Sequence, residues 1–473
     1  MPRAVFVDPN KHFYDRHGLY AMSAALKQAG FDVDFVCNRR PTRMLKRVAD
    51  LKPDHILYSC YSAAIGFFRD FDRDAKKLVR ADSLIGGPGP TFNQKCLEGT
   101  TIDAACIGEG DHSLIPYLQG DLGGARNIFR RNDAPPAEYH PLADLDKLPF
   151  PDRDAVYSAD PLLRDMPSKQ FLSGRGCPYR CSYCFNHSFR DMFKGCGAWV
   201  RKKSVDYLLE EIRLVRDRYP LVNVVFNDDT FILNQKWFFE FAERFPKEIG
   251  LPYTCNIRAN LVDEPVIEAL KKSGCSGATW SIESGSDFIR NEVLKRGMSA
   301  EQIRTTARLL KRQKIPFRIG NVLALPGETF EQALETLEMN IEAAPSVVVA
   351  NIFVPFPGLQ LTKFAIEKGY YEPRPDEELP RSFTAPSALK MDPAEGRRIR
   401  KLAILFPTFV SFPALYRNGL TRAFLFALPP LLLRVLYETL YTFNMMRLFV
   451  GRASMSHRIR MARRYILNFL FGS

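Results

Sequence analysis

The stretch that decides the fold is Phe171-Leu172-Ser173-Gly174-Arg175-Gly176-Cys177-Pro178-Tyr179-Arg180-Cys181-Ser182-Tyr183-Cys184. Three cysteines at CxxxCxxC spacing follow a short apolar strand. Three thiolates on one tight loop can hold three irons of a [4Fe–4S] cube and leave the fourth iron open for chemistry. Zinc is the alternative. A closed zinc site needs a fourth ligand and usually a second CxxC pair. His187 or Cys196 would have to supply that ligand.

Working outward from the loop, residues 168–372 read as six strand–helix units, the size of a partial (β/α)6 barrel. Active residues of such barrels belong at the C-terminal ends of the strands. Polar motifs fall there. Asp228 and Asp229 follow the strand 223–226, Arg258 follows 253–257, and Glu283-Ser284-Gly285-Ser286 follows 278–282. Taken alone, Glu283 reads as an acid at a helix N-terminus, stabilised by the macrodipole. Arg296, in Leu294-Lys295-Arg296-Gly297, taken alone reads as a solvated base.

The cysteine loop resembles the signature of the radical S-adenosylmethionine (SAM) superfamily, including the aromatic Tyr183 before the third cysteine. The resemblance implies that Cys177, Cys181 and Cys184 bind a [4Fe–4S] cluster whose open iron chelates SAM. An electron, from a donor such as flavodoxin or ferredoxin, would then cleave SAM to a 5′-deoxyadenosyl radical. Glu283, with Ser284 and Gly285, matches the family's turn at the SAM ribose. Arg296 resembles a base that meets the SAM carboxylate. Asp228 and Asp229 resemble the family's acidic pair, and Arg258 is a similar tip residue.

Residues 1–134 alternate strands (3–7, 32–36, 56–60, 83–85, 104–107) with helices (19–29, 43–51, 67–79). That order argues a parallel, doubly wound, Rossmann-like sheet. Gly86-Gly87-Pro88-Gly89-Pro90-Thr91 and Gly108-Glu109-Gly110-Asp111 sit at consecutive strand ends, with Ser59 and Ser62 at a third. One such cluster would read as a tight turn. Together they read as a ligand site, because ligands bind outside the carboxyl ends of strands and glycine lets backbone approach them. No GxGxxG follows the first strand, so a dinucleotide is not favoured. Upstream of such a cysteine loop, these turns resemble the cobalamin (B12)-binding branch of the superfamily. The resemblance implies cobalamin against Gly86, Gly87, Thr91, Gly108, Glu109 and Gly110. The DxHxxG signature, whose histidine ligates cobalt, is absent. Asp15-x-His17 begins like it without the glycine at the right spacing, and His12 lies in no such pattern. Residues 135–167 carry seven prolines and read as the linker between domains.

Composition bounds the rest. The chain has 473 residues, 46% hydrophobic and 25% charged, which excludes a disordered chain and a small disulfide scaffold. Its net charge is +13, yet residues 397–473 hold thirteen basic residues and one acid, leaving the body near neutral. A nucleic-acid reading would misplace that charge. Ten cysteines without an export signal point to a reducing, cytoplasmic setting. No 18-residue uncharged apolar window argues for a spanning helix. Residues 373–473 read as a helical basic region whose apolar stretches (423–433, 436–446, 459–471) alternate with arginines. Basic amphipathic helices lie on anionic lipid, which suggests peripheral membrane contact. A helical cap on the barrel is the even alternative, and RNA binding comes third for want of an RNA module.

The expectation is therefore a cobalamin-dependent radical SAM enzyme that methylates an unactivated carbon of a small, apolar or lipid-like molecule. A cyclase or an oxidative or rearranging enzyme of the same branch is the alternative, with a non-catalytic metal-binding scaffold behind it. A methylthiotransferase on tRNA is disfavoured, because Cys37, Cys60, Cys96 and Cys106 form no second cysteine trio.

Overall fold

The structure is a computed structural model that describes residues 1–9, 15–38, 40–60, 64–374, 379–380, 384–430, 432–433, 435 and 437–439. Residues 4–7 are buried on both faces, as a strand covered by helices must be. This strand, β1 (Arg3–Asp8), is followed by β2 (Asp32–Cys37), β3 (His55–Ser59), β4 (Asp82–Gly86), β5 (Ala104–Cys106) and β6 (Ile128–Arg130). They form one sheet in the order β2-β1-β3-β4-β5-β6, with only β6 antiparallel. The order reverses at β1, which opens a crevice at the strand tips.

The proline-rich segment is not a passive linker. Its helices Asp154–Ala159 and Pro161–Arg164 place Val156, Tyr157 and Leu163 in the first domain's core. Proline suits this geometry because Pro161 occupies the first turn of its helix, where its missing N–H is not needed.

The second domain contains β7 (Ser168–Phe171), β8 (Gly174–Arg175), β9 (Arg201–Lys202), β10 (Asn223–Phe226), β11 (Tyr253–Asn256), β12 (Cys275–Glu283), β13 (Phe317–Leu323) and β14 (Val347–Ile352). Six of these make an open parallel sheet in the order β14-β13-β12-β11-β10-β7. β8 and β9 pair as a separate antiparallel hairpin. Ser204, Asn234, Asp263, Ser299 and Thr329 each cap a helix through the side chain. Such caps satisfy orphan N–H groups where loop becomes helix, which gathers the intervening loops at one end of the sheet.

The helix Pro393–Ser411 buries Ile399 and residues 402–410 against β14 and the helix Phe330–Ala343. For this helix, the cap on the barrel is what forms. The apolar stretch 423–433 is split, because the helix Gly419–Ala427 stops before Pro429 and Pro430. The stretch 459–471 and most of 436–446 lie outside the described residues. Among the described residues no helix is long and apolar enough to cross a membrane.

The two domains meet at a buried carboxylate. Asp15 accepts hydrogen bonds from the Gln170 N–H at 2.7 Å, the Tyr20 hydroxyl at 2.6 Å and the Tyr157 hydroxyl at 2.8 Å. It also pairs with Arg153 at 3.0 Å, both side chains being 2% exposed. Burial alone would raise its pKa. The Arg153 guanidinium and these hydrogen bonds hold it below the usual value.

Candidate active site

The tips of β3, β4 and β5 wall a cavity of about 310 Å³, lined by Ser59, Gly86, Gly87, Gly108, Glu109 and Gly110. Two of these glycines are required by the backbone. Gly87 has φ +100°, and a Cβ there would sit 2.8 Å from the Cys60 carbonyl oxygen. Gly108 has φ +69°, and a Cβ there would overlap the Phe193 ring. Thr91 does not line the cavity. Its hydroxyl donates to the Gly87 carbonyl at 2.7 Å and accepts from the Gly108 N–H at 2.9 Å, tying the two turns together. Ser62 and His12 lie outside the described residues. His17 also lines the cavity, its Nε2 is buried without a partner, and burial pushes the imidazole down to about 4.

Glu109 is already engaged. Arg201 holds its carboxylate at 3.0 and 2.5 Å, and Arg175 lies at 3.2 Å. Arg175 also grips Asp111 at 2.7 Å. Arg175 stands two residues before Cys177 and itself lines the cavity. The cavity's wall is thus bound by buried ion pairs to the hairpin that carries the cysteine loop. Sequence reasoning missed Arg201 and the pairing role of Arg175 and Asp111. Both Arg175 and Asp111 stand in the quoted motifs, but these contacts join residues 64 and 92 positions apart.

In the second domain the predicted residues gather around the cysteines. Arg258 Nη1 lies 3.6 Å from Cys181 Sγ, and Arg296 Nη1 lies 4.0 Å from it. Two guanidinium groups thus stand beside one sulfur. Cys184 is the N-cap residue of the helix Phe185–Met192. The Tyr183 hydroxyl donates to Glu283 Oε1 at 2.8 Å and accepts from Arg296 Nη1 at 2.6 Å. Glu283 has φ +66° and sits where the β12–β13 register shifts, a bulge that re-aims its side chain. Ser284 Oγ is buried without a partner. Gly285 packs against the backbone at residues 335–336, with no room for a Cβ. Arg290, unforeseen from sequence, is fully buried and donates to the carbonyls of Ser284, Gly285 and Met298, which fixes this turn.

The acidic pair divides. Asp228 is saturated by the Ser173 N–H at 3.0 Å, the Ser173 hydroxyl at 2.5 Å and Lys202 at 3.0 Å. It anchors the strand that leads into the cysteine loop. Asp229 interacts instead with Asn186 and raises the Cys177 and Cys184 thiols by its charge, while burial raises its own carboxyl.

Burial pushes the Cys177 thiol up and the Cys184 thiol up to about 12, so thiolates form there together with metal binding. Among the described residues no three Cys, His, Asp or Glu side chains converge as ligands of one ion. A cube makes a different demand, since each thiolate binds its own iron. The half-buried Cys177 and Cys184, flanking a Cys181 backed by two arginines, suit that demand.

The radical SAM superfamily profile matches residues 171–339, and the B12 binding domain profile matches residues 11–115. The chain carries a radical SAM domain and a B12-binding domain. Those domains imply a [4Fe–4S] cluster with SAM, and cobalamin. The chain is 27% identical to the uncharacterized methyltransferase PH0819 of Pyrococcus horikoshii, over 60% of this chain and 62% of that one. It is 24% identical to the anaerobic magnesium-protoporphyrin IX monomethyl ester cyclase of Rubrivivax gelatinosus, over 75% and 68% of the two chains. Its fold superposes on the radical SAM methyltransferase TsrM from Kitasatospora setae, solved with cobalamin and a [4Fe–4S] cluster. That superposition has a TM-score of 0.68 at 15% identity and covers 100% of both chains.

Proposed function

We propose that this protein methylates an unactivated carbon of a small, apolar molecule in a cobalamin- and SAM-dependent radical reaction. The observation that carries the proposal is the position of Arg175. It lines the cavity at the sheet tips, stands two residues before Cys177, and ties the two together through Glu109 and Asp111. A methyl transfer that uses both cofactors needs them at one chamber, and this tie supports reading the two sets of residues as walls of that chamber.

In this reading Cys177, Cys181 and Cys184 hold the cluster. Glu283, oriented by the Tyr183 hydroxyl, accepts hydrogen bonds from the SAM ribose, while Arg258 and Arg296 supply positive charge near the SAM carboxylate. Asp229 accepts a hydrogen bond beside the cluster. Ser59, Gly86, Gly87, Gly108 and Gly110 would line the corrin site at the strand tips. Thr91, Glu109 and Asp228 act by positioning the walls. When bound, these cofactors supply a hydrogen-abstracting radical and a methyl group. The protein supplies orientation and a shielded chamber. A small donor of the flavodoxin or ferredoxin class would supply the reducing electron.

The likeness to the Rubrivivax cyclase, over 75% of this chain, favours a second reading: radical ring closure or oxidation without methyl transfer. One experiment separates the two. The protein is reconstituted anaerobically with iron, sulfide and hydroxocobalamin, then supplied with methyl-labelled SAM and candidate apolar extracts. Label in a new product supports methylation. Deoxyadenosine and product without label support the second reading. No cluster with all three cysteines intact and reduced defeats both.

A further inference from the structure

We infer that the C-terminal helices form a headgroup site for an anionic phospholipid in a bilayer. The helices Phe330–Ala343, Pro393–Ser411 and Gly419–Ala427 enclose a cavity of about 580 Å³. Phe330, Leu334 and Phe426 give it an apolar floor, and Arg397, Arg398, Lys401 and Arg422 give it a cationic rim. Among the described residues no carboxylate forms an ion pair with any of these four cations. Three of the four are held in place by neighbouring rings and a carbonyl. The Arg398 guanidinium lies 3.9 Å from the Phe330 ring centroid, the Arg422 guanidinium 5.4 Å from that of Tyr416, and Lys401 donates to the Phe426 carbonyl at 2.6 Å. The nearby acids are engaged elsewhere, Glu395 with the Phe330 N–H at 3.0 Å and Glu338 with the Tyr416 hydroxyl. Three cations without a carboxylate partner, together with Arg422, which shares the Tyr416 hydroxyl with Glu338, make a site for an anion around one concavity.

The surface beside the cavity selects which anion. The helix Gly419–Ala427 buries none of its residues. Leu420 is 86% exposed, Phe424 64% and Phe412 53%. Single exposed apolar residues are ordinary, but Leu420 and Phe424, four positions apart on one helix, form an apolar wedge beside the cationic pocket. At a bilayer the wedge enters the headgroup–acyl boundary while the arginines reach phosphate oxygens. A free phosphate would leave the wedge in water. This inference does not depend on the methylation proposal, and either can fail alone.

The test uses the full-length protein in sedimentation with phosphatidylcholine vesicles, with and without phosphatidylglycerol, at fixed ionic strength. Wild type is expected on the anionic vesicles only. Reversing two rim charges (Arg398→Glu with Arg422→Glu) should weaken binding by at least about 25-fold, counting about five-fold per cation near an anionic surface. Leu420→Asp should weaken it as well. That side chain is almost fully exposed, so its loss cannot act through misfolding, and helix content by circular dichroism checks both variants. The inference is overturned if wild type ignores anionic vesicles, or if the double reversal binds as tightly as wild type. It is equally overturned if inorganic phosphate or an RNA oligonucleotide displaces the protein while Leu420→Asp binds normally.

Discussion

Replacing Tyr183 with phenylalanine removes a single oxygen from between Glu283 and Arg296. The ring keeps its place, so no cavity opens. The lost hydroxyl makes two bonds, at 2.8 Å to Glu283 Oε1 and at 2.6 Å from Arg296 Nη1. Each has an ionised partner, and a bond of that kind contributes about 1.5–3 kcal/mol. Arg296 keeps its bond to the Ser281 carbonyl at 2.6 Å and stands 3.8 Å from Glu283, so direct closure recovers part of the loss. A net cost of about 1.5–3 kcal/mol in holding the Glu283 carboxylate corresponds to SAM binding weakened about 10- to 150-fold. The assay is equilibrium dialysis of labelled SAM against anaerobically reconstituted protein, with iron measured alongside. Iron should be unchanged, because the three cysteines are untouched. SAM affinity within about two-fold of wild type, in a variant that keeps its cluster, would refute the reasoning. A lowered melting temperature with normal SAM affinity would make the bridge structural only.

Gly87→Ala should cut cobalamin retention after desalting at least about ten-fold, from left-handed backbone strain of about 1–3 kcal/mol and the clash with Cys60. Iron content should stay normal, and unchanged absorbance from bound cobalamin would count against the cavity assignment. Asp15→Asn leaves the buried Arg153 without its counter-charge and should destabilise the chain by about 3–5 kcal/mol, read from the denaturant midpoint. Glu328 gives a pH signature. Burial raises its carboxyl to about 8, so the fold keeps a proton that the unfolded chain releases near pH 4.3. Its contribution is full below that lower value and is lost as pH rises through about 8, a fall on the order of 5 kcal/mol. Glu328→Gln should flatten this slope, and a stability profile unchanged by the substitution between pH 5 and pH 8 would disprove it.

Much of the architecture is written in local pattern. The alternation of buried runs with amphipathic stretches announces both parallel sheets, because a strand covered on two faces must be continuously apolar. The cysteine spacing and the glycine turns are legible for the same reason: they reflect what one short loop must do. Less legible are the short elements β6, β8 and β9. Two or three residues carry no periodicity, and these strands exist only because a neighbour offers a ladder. The helices within 135–167 were hidden by proline content, which signals interruption but also suits helix starts.

From sequence alone came the three cysteines, the barrel and sheet classes, and the glycine turns at the strand tips. What only tertiary structure decided is the task of each charged side chain. Asp228 and Asp229 are adjacent and chemically identical, yet one is saturated by Ser173 and Lys202 and the other faces the cysteines. Glu109 lies in a cofactor-like turn, yet two arginines from another domain hold it. Apolar residues declare their burial through periodicity, because the hydrophobic effect is non-directional and sums over a face. A carboxylate's role depends on which donor stands within about 3 Å, and that donor is brought there by the folding of distant segments.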